Sequence, residues 1–177
     1  MPRILAALVL LLLFAAPASA RRGELAVGLG YTAGSADSTA TSEDVDFVGA
    51  TVFGAAGVAK HWELLYSARL MKEDGFFAFV GYEYDQISFQ AAYRFRPEQL
   101  VRPRAKLGLT YTSAELTQVG GVTDDSDTSI SWGGGLEIGR KYSGFIDFDR
   151  TEATLINADL DFTHITFGLV VRFRRAG

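Results

Sequence analysis

Apolar residues recur at every second position along most of this chain, a spacing that belongs to extended strands with two chemically different faces and not to amphipathic helices. Leu25, Val27, Leu29 and Tyr31 share one face, and Glu24, Ala26, Gly28 and Gly30 the other. Trp62, Leu64, Tyr66, Ala68 and Leu70 alternate with Glu63, Leu65, Ser67 and Arg69, and Ile87, Phe89, Ala91, Tyr93 and Phe95 with Ser88, Gln90, Ala92 and Arg94. Ala105, Leu107, Leu109 and Tyr111 oppose Lys106, Gly108 and Thr110, while Ile130, Trp132, Leu136 and Ile138 oppose Ser131, Gly133, Gly135 and Glu137. Ile165, Phe167, Leu169, Val171 and Phe173 close the series against His164, Thr166, Gly168 and Arg172. Two segments break the rule: Val45 to Phe53 has apolar residues on both faces, and Tyr142 to Phe148 is interrupted by Phe145.

The alternation predicts eight strands, at 23–33, 44–55, 60–72, 77–96, 103–113, 128–140, 142–151 and 161–173. Ten is the alternative if residues 72–96 divide further. Small polar residues at Gly34 to Ser42, two prolines within Arg96 to Pro103, and the glycine, aspartate and serine stretch Thr117 to Thr128 read as connections.

The first 20 residues are set apart from the fold. Arg3 precedes an apolar run from Ile4 to Ala16, followed by Pro17 and the small residues Ala18, Ser19 and Ala20, the pattern of a cleaved secretory signal peptide. The run is short of the roughly 20 residues that span a bilayer as a helix. Residues 21–177 then form one domain. That domain has no cysteine, so a disulfide scaffold, a thiolate metal site and a cysteine nucleophile are excluded. The whole chain's net charge of −4 offers no general attraction to nucleic acid.

A strand with one apolar face suits a soluble lipocalin-like barrel with that face inward, or a membrane barrel with that face toward lipid. The other face here is mostly glycine, alanine, serine and threonine with isolated charges, which suits a narrow lumen better than a water-exposed surface. Tyr31, Trp62, Tyr93, Phe95, Tyr111, Tyr142 and Phe173 sit near strand ends, as interfacial girdles do. Charge is also segregated. Of the 16 basic residues after position 20, 13 fall toward the end that holds the termini and even-numbered connections, all but Arg69, Lys72 and Arg150. Apart from Glu24, Glu63, Glu98 and Glu137, the acids are assigned to the opposite end. Inward charges, among them Glu24, Glu63, Arg69, Arg94, Lys106, Glu137 and Arg172, must pair, since unpaired buried charge is costly.

On these residues the chain resembles the small eight-stranded outer-membrane barrels of Gram-negative bacteria, the OmpA, OmpX and OmpW-like group. The last strand, Thr166 to Phe173, is similar to the signal by which the barrel-assembly machinery recognises its substrates, carried by Thr166, Gly168, Val171 and Phe173. The chain departs from the usual pattern by continuing through Arg174, Arg175, Ala176 and Gly177. The resemblance implies an all-β, closed, antiparallel up-and-down transmembrane barrel in the bacterial outer membrane. It implies as partners outer-membrane lipid, lipopolysaccharide and the assembly machinery, with a monomer expected and no cofactor.

Chemistry is sparse. His164 and Thr166 have the spacing of a histidine and hydroxyl in barrel lipid A deacylases, but threonine stands where serine is needed. His61 is followed by Trp62 and Glu63 with no serine in place, so no catalytic residue is assigned. Asp124, Asp125 and Asp127 form the densest carboxylate cluster and the weak candidates for a hard cation, which needs 6–8 converging oxygens. Three functions follow in order: a noncatalytic barrel with a closed polar lumen and acidic outer loops for envelope integrity or surface interaction; a small-solute or hydrophobic-ligand channel with a lateral opening near Gly133, Gly134 and Gly135; and a lipid A hydrolase.

Overall fold

The computed structural model describes residues 24–38, 44–73, 81–118, 121–155 and 158–174. They form eight antiparallel strands: β1 Glu24–Ser38, β2 Asp44–Gly57, β3 Trp62–Glu73, β4 Gly81–Arg94, β5 Val101–Gln118, β6 Gly121–Gly139, β7 Tyr142–Leu155 and β8 Ala158–Arg174. Each pairs with the next, and β8 pairs back with β1 from Glu24↔Arg174 to Ser38↔Leu160, closing the sheet. Closure leaves no edge through the apolar band, the condition for a sheet to cross hydrocarbon, where nothing else satisfies backbone N–H and C=O groups. The signal-peptide reading and the connections at 39–43 and 74–80 lie outside the described residues.

The face assignment holds on the six strands for which alternation made one. Leu29, Leu107, Ile130 and Leu169 are 65%, 61%, 64% and 73% exposed, and they form a belt with Phe89, Trp132, Ile146, Phe167 and their neighbours. A continuous apolar girdle of this kind has no stable place in water. Trp62, Tyr93 and Phe95 stack edge to face at 5.1 and 5.2 Å at the short-turn end, and Tyr31 packs on Phe167 at 5.4 Å toward the other end.

The strands differ from the expected ones in length. β5 and β6 run 18 and 19 residues, well beyond the roughly 9–11 that cross a bilayer, so their hairpin projects past the belt. Residues 117–128, read from sequence as a loop, are therefore mostly strand. Residues 34–38 of the expected connection at 34–42 likewise belong to β1, and β7 and β8 reach Leu155 and Ala158, past their expected ends at 151 and 161. Polar, small residues do not end a strand when a partner strand satisfies the backbone on the neighbouring side.

Candidate functional site

The lumen is built by the residues of the second face. On β5 the inward positions are Arg102, Arg104, Lys106, Gly108, Thr110 and Thr112, and on β7 Ser143, Phe145, Asp147, Asp149 and Thr151. β6 lies between them, with the rows Arg104↔Gly135↔Asp147 and Lys106↔Gly133↔Asp149 in register. Glycine in β6 lets the two flanking side chains meet over it. A Cβ at Gly135 would stand 1.7 Å from Asp147 Oδ1, and one at Gly133 would stand 2.0 Å from the Phe148 carbonyl and 2.9 Å from Asp149 Oδ1. Gly133 and Gly135, two of the three glycines behind the lateral-opening reading, thus make room for ion-pair rows, while Gly134 lies on the opposite face.

Two charged tiers result. In the upper tier Lys106 Nζ lies 3.0 Å from Asp147 and 2.9 Å from Asp149. Arg69 on β3 donates to Asp149 on the opposite wall, and Gln90 donates to the same carboxylate at 3.2 Å. In the lower tier Arg172 clamps Glu137 through Nε and Nη2 and reaches Glu63 at 3.3 Å. Arg94 donates to Glu24 at 3.2 Å, and Arg102 to Glu137 at 2.7 Å. Arg104 joins the tiers: it holds Asp147 through Nε at 3.1 Å and Nη2 at 2.7 Å, and its Nη1 reaches Glu63 at 3.3 Å. Its guanidinium also lies 5.9 and 6.0 Å from the Phe53 and Phe145 rings, within cation–π range.

Phe53 and Phe145 are the residues that broke the alternation. Both turn inward and meet edge to face at 4.6 Å. Glycines make the room: a Cβ at Gly28 would meet Phe53 at 2.1 Å, and one at Gly168 would meet Phe145 at 2.8 Å. Above the charged tiers a second apolar cluster of Phe47, Met71, Tyr84, Leu155 and Phe162 fills the outer part of the lumen. Between the tiers, the void bordered by Thr51, Phe53, Arg69, Gln90, Arg104 and Asp147 has a volume of about 20 Å³, room for about one water.

All seven inward charges expected from sequence are in the lumen and in ion pairs. Sequence reasoning missed Arg102, Arg104, Asp147 and Asp149, having assigned them to the barrel ends. The signal was present: Arg102 and Arg104 continue the parity of Lys106, and Asp147 and Asp149 continue that of Phe145 once Phe145 is read as inward. Charge segregation by end is correspondingly weaker than expected, since Arg94, Arg102, Arg104, Lys106 and Arg172 line the lumen.

The candidate site residues separate. His164 is fully buried against Phe47 and Phe162, with both ring nitrogens lacking a hydrogen-bond partner. Thr166 faces the lumen two residues on, but its hydroxyl shares a 2.8 Å hydrogen bond with Thr32, not with the imidazole. His61 donates through Nδ1 to the Arg94 carbonyl at 2.9 Å and stacks on Tyr93, a turn-bracing role. Asp125 and Asp127 share a face and accept backbone N–H bonds from Ser126 and Thr128, whereas Asp124 takes the opposite face. Among the described residues no three histidine or acidic side chains converge on a metal-sized space. In the last strand Thr166 and Gly168 face the lumen, and Val171 and Phe173 face lipid.

A family model for the outer membrane protein beta-barrel domain matches residues 6–173. The chain belongs to that family. Among solved structures, Neisserial surface protein A (NspA) superposes with a TM-score of 0.70 at 14% identity, over 84% of this chain and 98% of its own. Ail, the attachment invasion locus protein of Yersinia pestis, gives 0.63 at 16%, over 86% and 99%. OprG from Pseudomonas aeruginosa gives 0.67 at 8%, over 87% and 97%. At these identities the likeness is one of fold. No curated protein sequence matches the chain significantly.

Proposed function

We propose that this chain is a noncatalytic outer-membrane barrel, closed to solutes, that presents an acidic rim to the outside for envelope integrity or surface interaction. The observation that carries the closed lumen is that its ion pairs cross the barrel: Arg69 and Asp149 join strands on opposite walls, and Arg104 ties β3 to β7. The apolar cluster around Phe47 and Phe162 supports the same reading from the outer side. Liposome swelling tests it, with proteoliposomes expected to swell no faster in small sugars than empty vesicles. Swelling that scales with solute size would favour the channel reading.

Outer-membrane barrels extend further on the exterior than on the periplasmic side, so the end at which β5 and β6 project past the belt is the outer end. Its exposed side chains include Asp37, Asp46, Glu83, Glu115, Asp124 and Glu152. The cations there, Lys72 and Arg150, are each paired, with Glu83 and Asp161. Ail has been solved with the heparin analogue sucrose octasulfate. The rim of this chain favours the opposite partner, a cationic polypeptide, or divalent cations that bridge it to lipopolysaccharide phosphates. The barrel in zwitterionic nanodiscs is expected to bind polylysine with strong salt dependence and to ignore heparin.

The channel reading has one observation of its own. β6 and β7 pair only from Gly139↔Ser143 to Ser131↔Thr151, although β6 continues to Gly121 and β7 to Leu155. Ser129 Oγ and Thr151 Oγ1 at this notch are buried without partners. Against hydrolase activity stand the sealed position of His164 and the engagement of Thr166 with Thr32. Lipid A mass profiles with and without the gene are expected to coincide.

A further inference from the structure

The periplasmic mouth carries a cavity of about 660 Å³ whose walls are mostly cationic. Arg102 and Arg172 come from β5 and β8, Arg140 and Lys141 from the β6–β7 turn, and Pro97, Glu98 and Phe173 complete it. Glu98, the one acid on the wall, is held by Lys60 at 3.0 Å. Arg172 spends its guanidinium on Glu137 and Glu63. Arg102 is engaged only in part: its Nη2 donates to Glu137 and Ser143, while its Nε, deeply buried, has no partner.

Arg140 and Lys141 are exposed and make no ion pair among the described residues, although Lys141 lies over the Tyr142 ring at 5.5 Å. Charge adds to this geometry. Six lumen cations, Arg69, Arg94, Arg102, Arg104, Lys106 and Arg172, face five carboxylates, Glu24, Glu63, Glu137, Asp147 and Asp149, so the network, two of whose arginines line the cavity, carries one positive charge in excess.

We propose that this mouth is a phosphate-binding site, in which Arg102, Arg140 and Lys141 hold the phosphate of an anionic phospholipid headgroup or a free phosphate group in the periplasm. Guanidinium forks match phosphate oxygens in pairs, and a neighbouring ammonium supplies point charge. Phe173, 53% exposed on the lipid side, shares the wall, so a headgroup seated in the cavity has an apolar surface beside it for its acyl chains.

The test uses the mature chain refolded in octyl glucoside, a detergent without phosphate, titrated by calorimetry with short-chain phosphatidylglycerol and separately with inorganic phosphate. Saturable binding at one equivalent supports the site. Saturable binding of the lipid with little or none of inorganic phosphate makes the source a headgroup; inorganic phosphate that binds at least as tightly and displaces the lipid makes it free phosphate. The double variant Arg140→Gln, Lys141→Gln is expected to weaken binding about tenfold or more, the scale of lost charge-assisted hydrogen bonds. Arg96→Gln removes a charge from the same face outside the cavity and should leave affinity nearly unchanged. Heat-modifiable gel migration checks that each variant is folded. No saturable binding of either probe, or equal losses in Arg96→Gln and the double variant, would overturn the proposal.

Discussion

Arg104 is the side chain on which the lumen turns, because it alone ties the two charged tiers and lies against both inward phenylalanines. Removing one partner of a buried charge network leaves the others uncompensated, at a cost of about 3–5 kcal/mol. Arg104→Met is expected to lose stability of that order in urea unfolding from lipid vesicles, whereas Lys60→Gln, which breaks an exposed pair with Glu98, should lose under ~1 kcal/mol. Gly135→Val drives a branched side chain into Asp147, and it is expected to destabilise by about 2 kcal/mol or more in the same assay. Alternation showed that charges such as Lys106 and Glu137 point inward and must pair. It did not show which pairs form, since partners such as Arg69 and Asp149 are 80 positions apart and meet only through closure.

At the level of the strand, eight elements and their two faces were legible because each carries a run of alternating residues long enough to cross the belt. Their outer ends were not legible. Beyond the membrane boundary both faces meet water or polar lumen, so alternation fades while the ladder continues: Thr112↔Asp127 and Glu115↔Asp124 pair normally although neither strand is amphipathic there. β7 was obscured for the opposite reason, since an inward Phe145 makes two adjacent faces apolar. The last strand pairs on both sides, with β1 and β7, and places Phe173 on lipid opposite Leu25. If it carries the assembly signal, Phe173→Ala lowers the yield of heat-modifiable barrel in the outer membrane of cells several-fold. The same variant should still refold spontaneously in detergent. Equal yields in cells would remove the assembly role.

For the whole molecule, the small net charge conceals three populations: an acidic rim at the end where β5 and β6 project, a basic rim at the end that holds the termini, and a lumen whose charges nearly balance. The first two were visible by position in the chain; the third was visible in part, in the seven inward charges, and was completed when Arg102, Arg104, Asp147 and Asp149 were placed inside the barrel. Family membership and fold follow from the pattern and its closure, while the role rests on whether that lumen is shut. Single-channel recording in planar bilayers tests this most directly. The account predicts no steady conductance from the wild-type barrel, and measurable openings from a variant that strips the cross-lumen cations, Arg69→Ala with Arg104→Ala and Lys106→Ala. A steady conductance from the wild-type protein would contradict it.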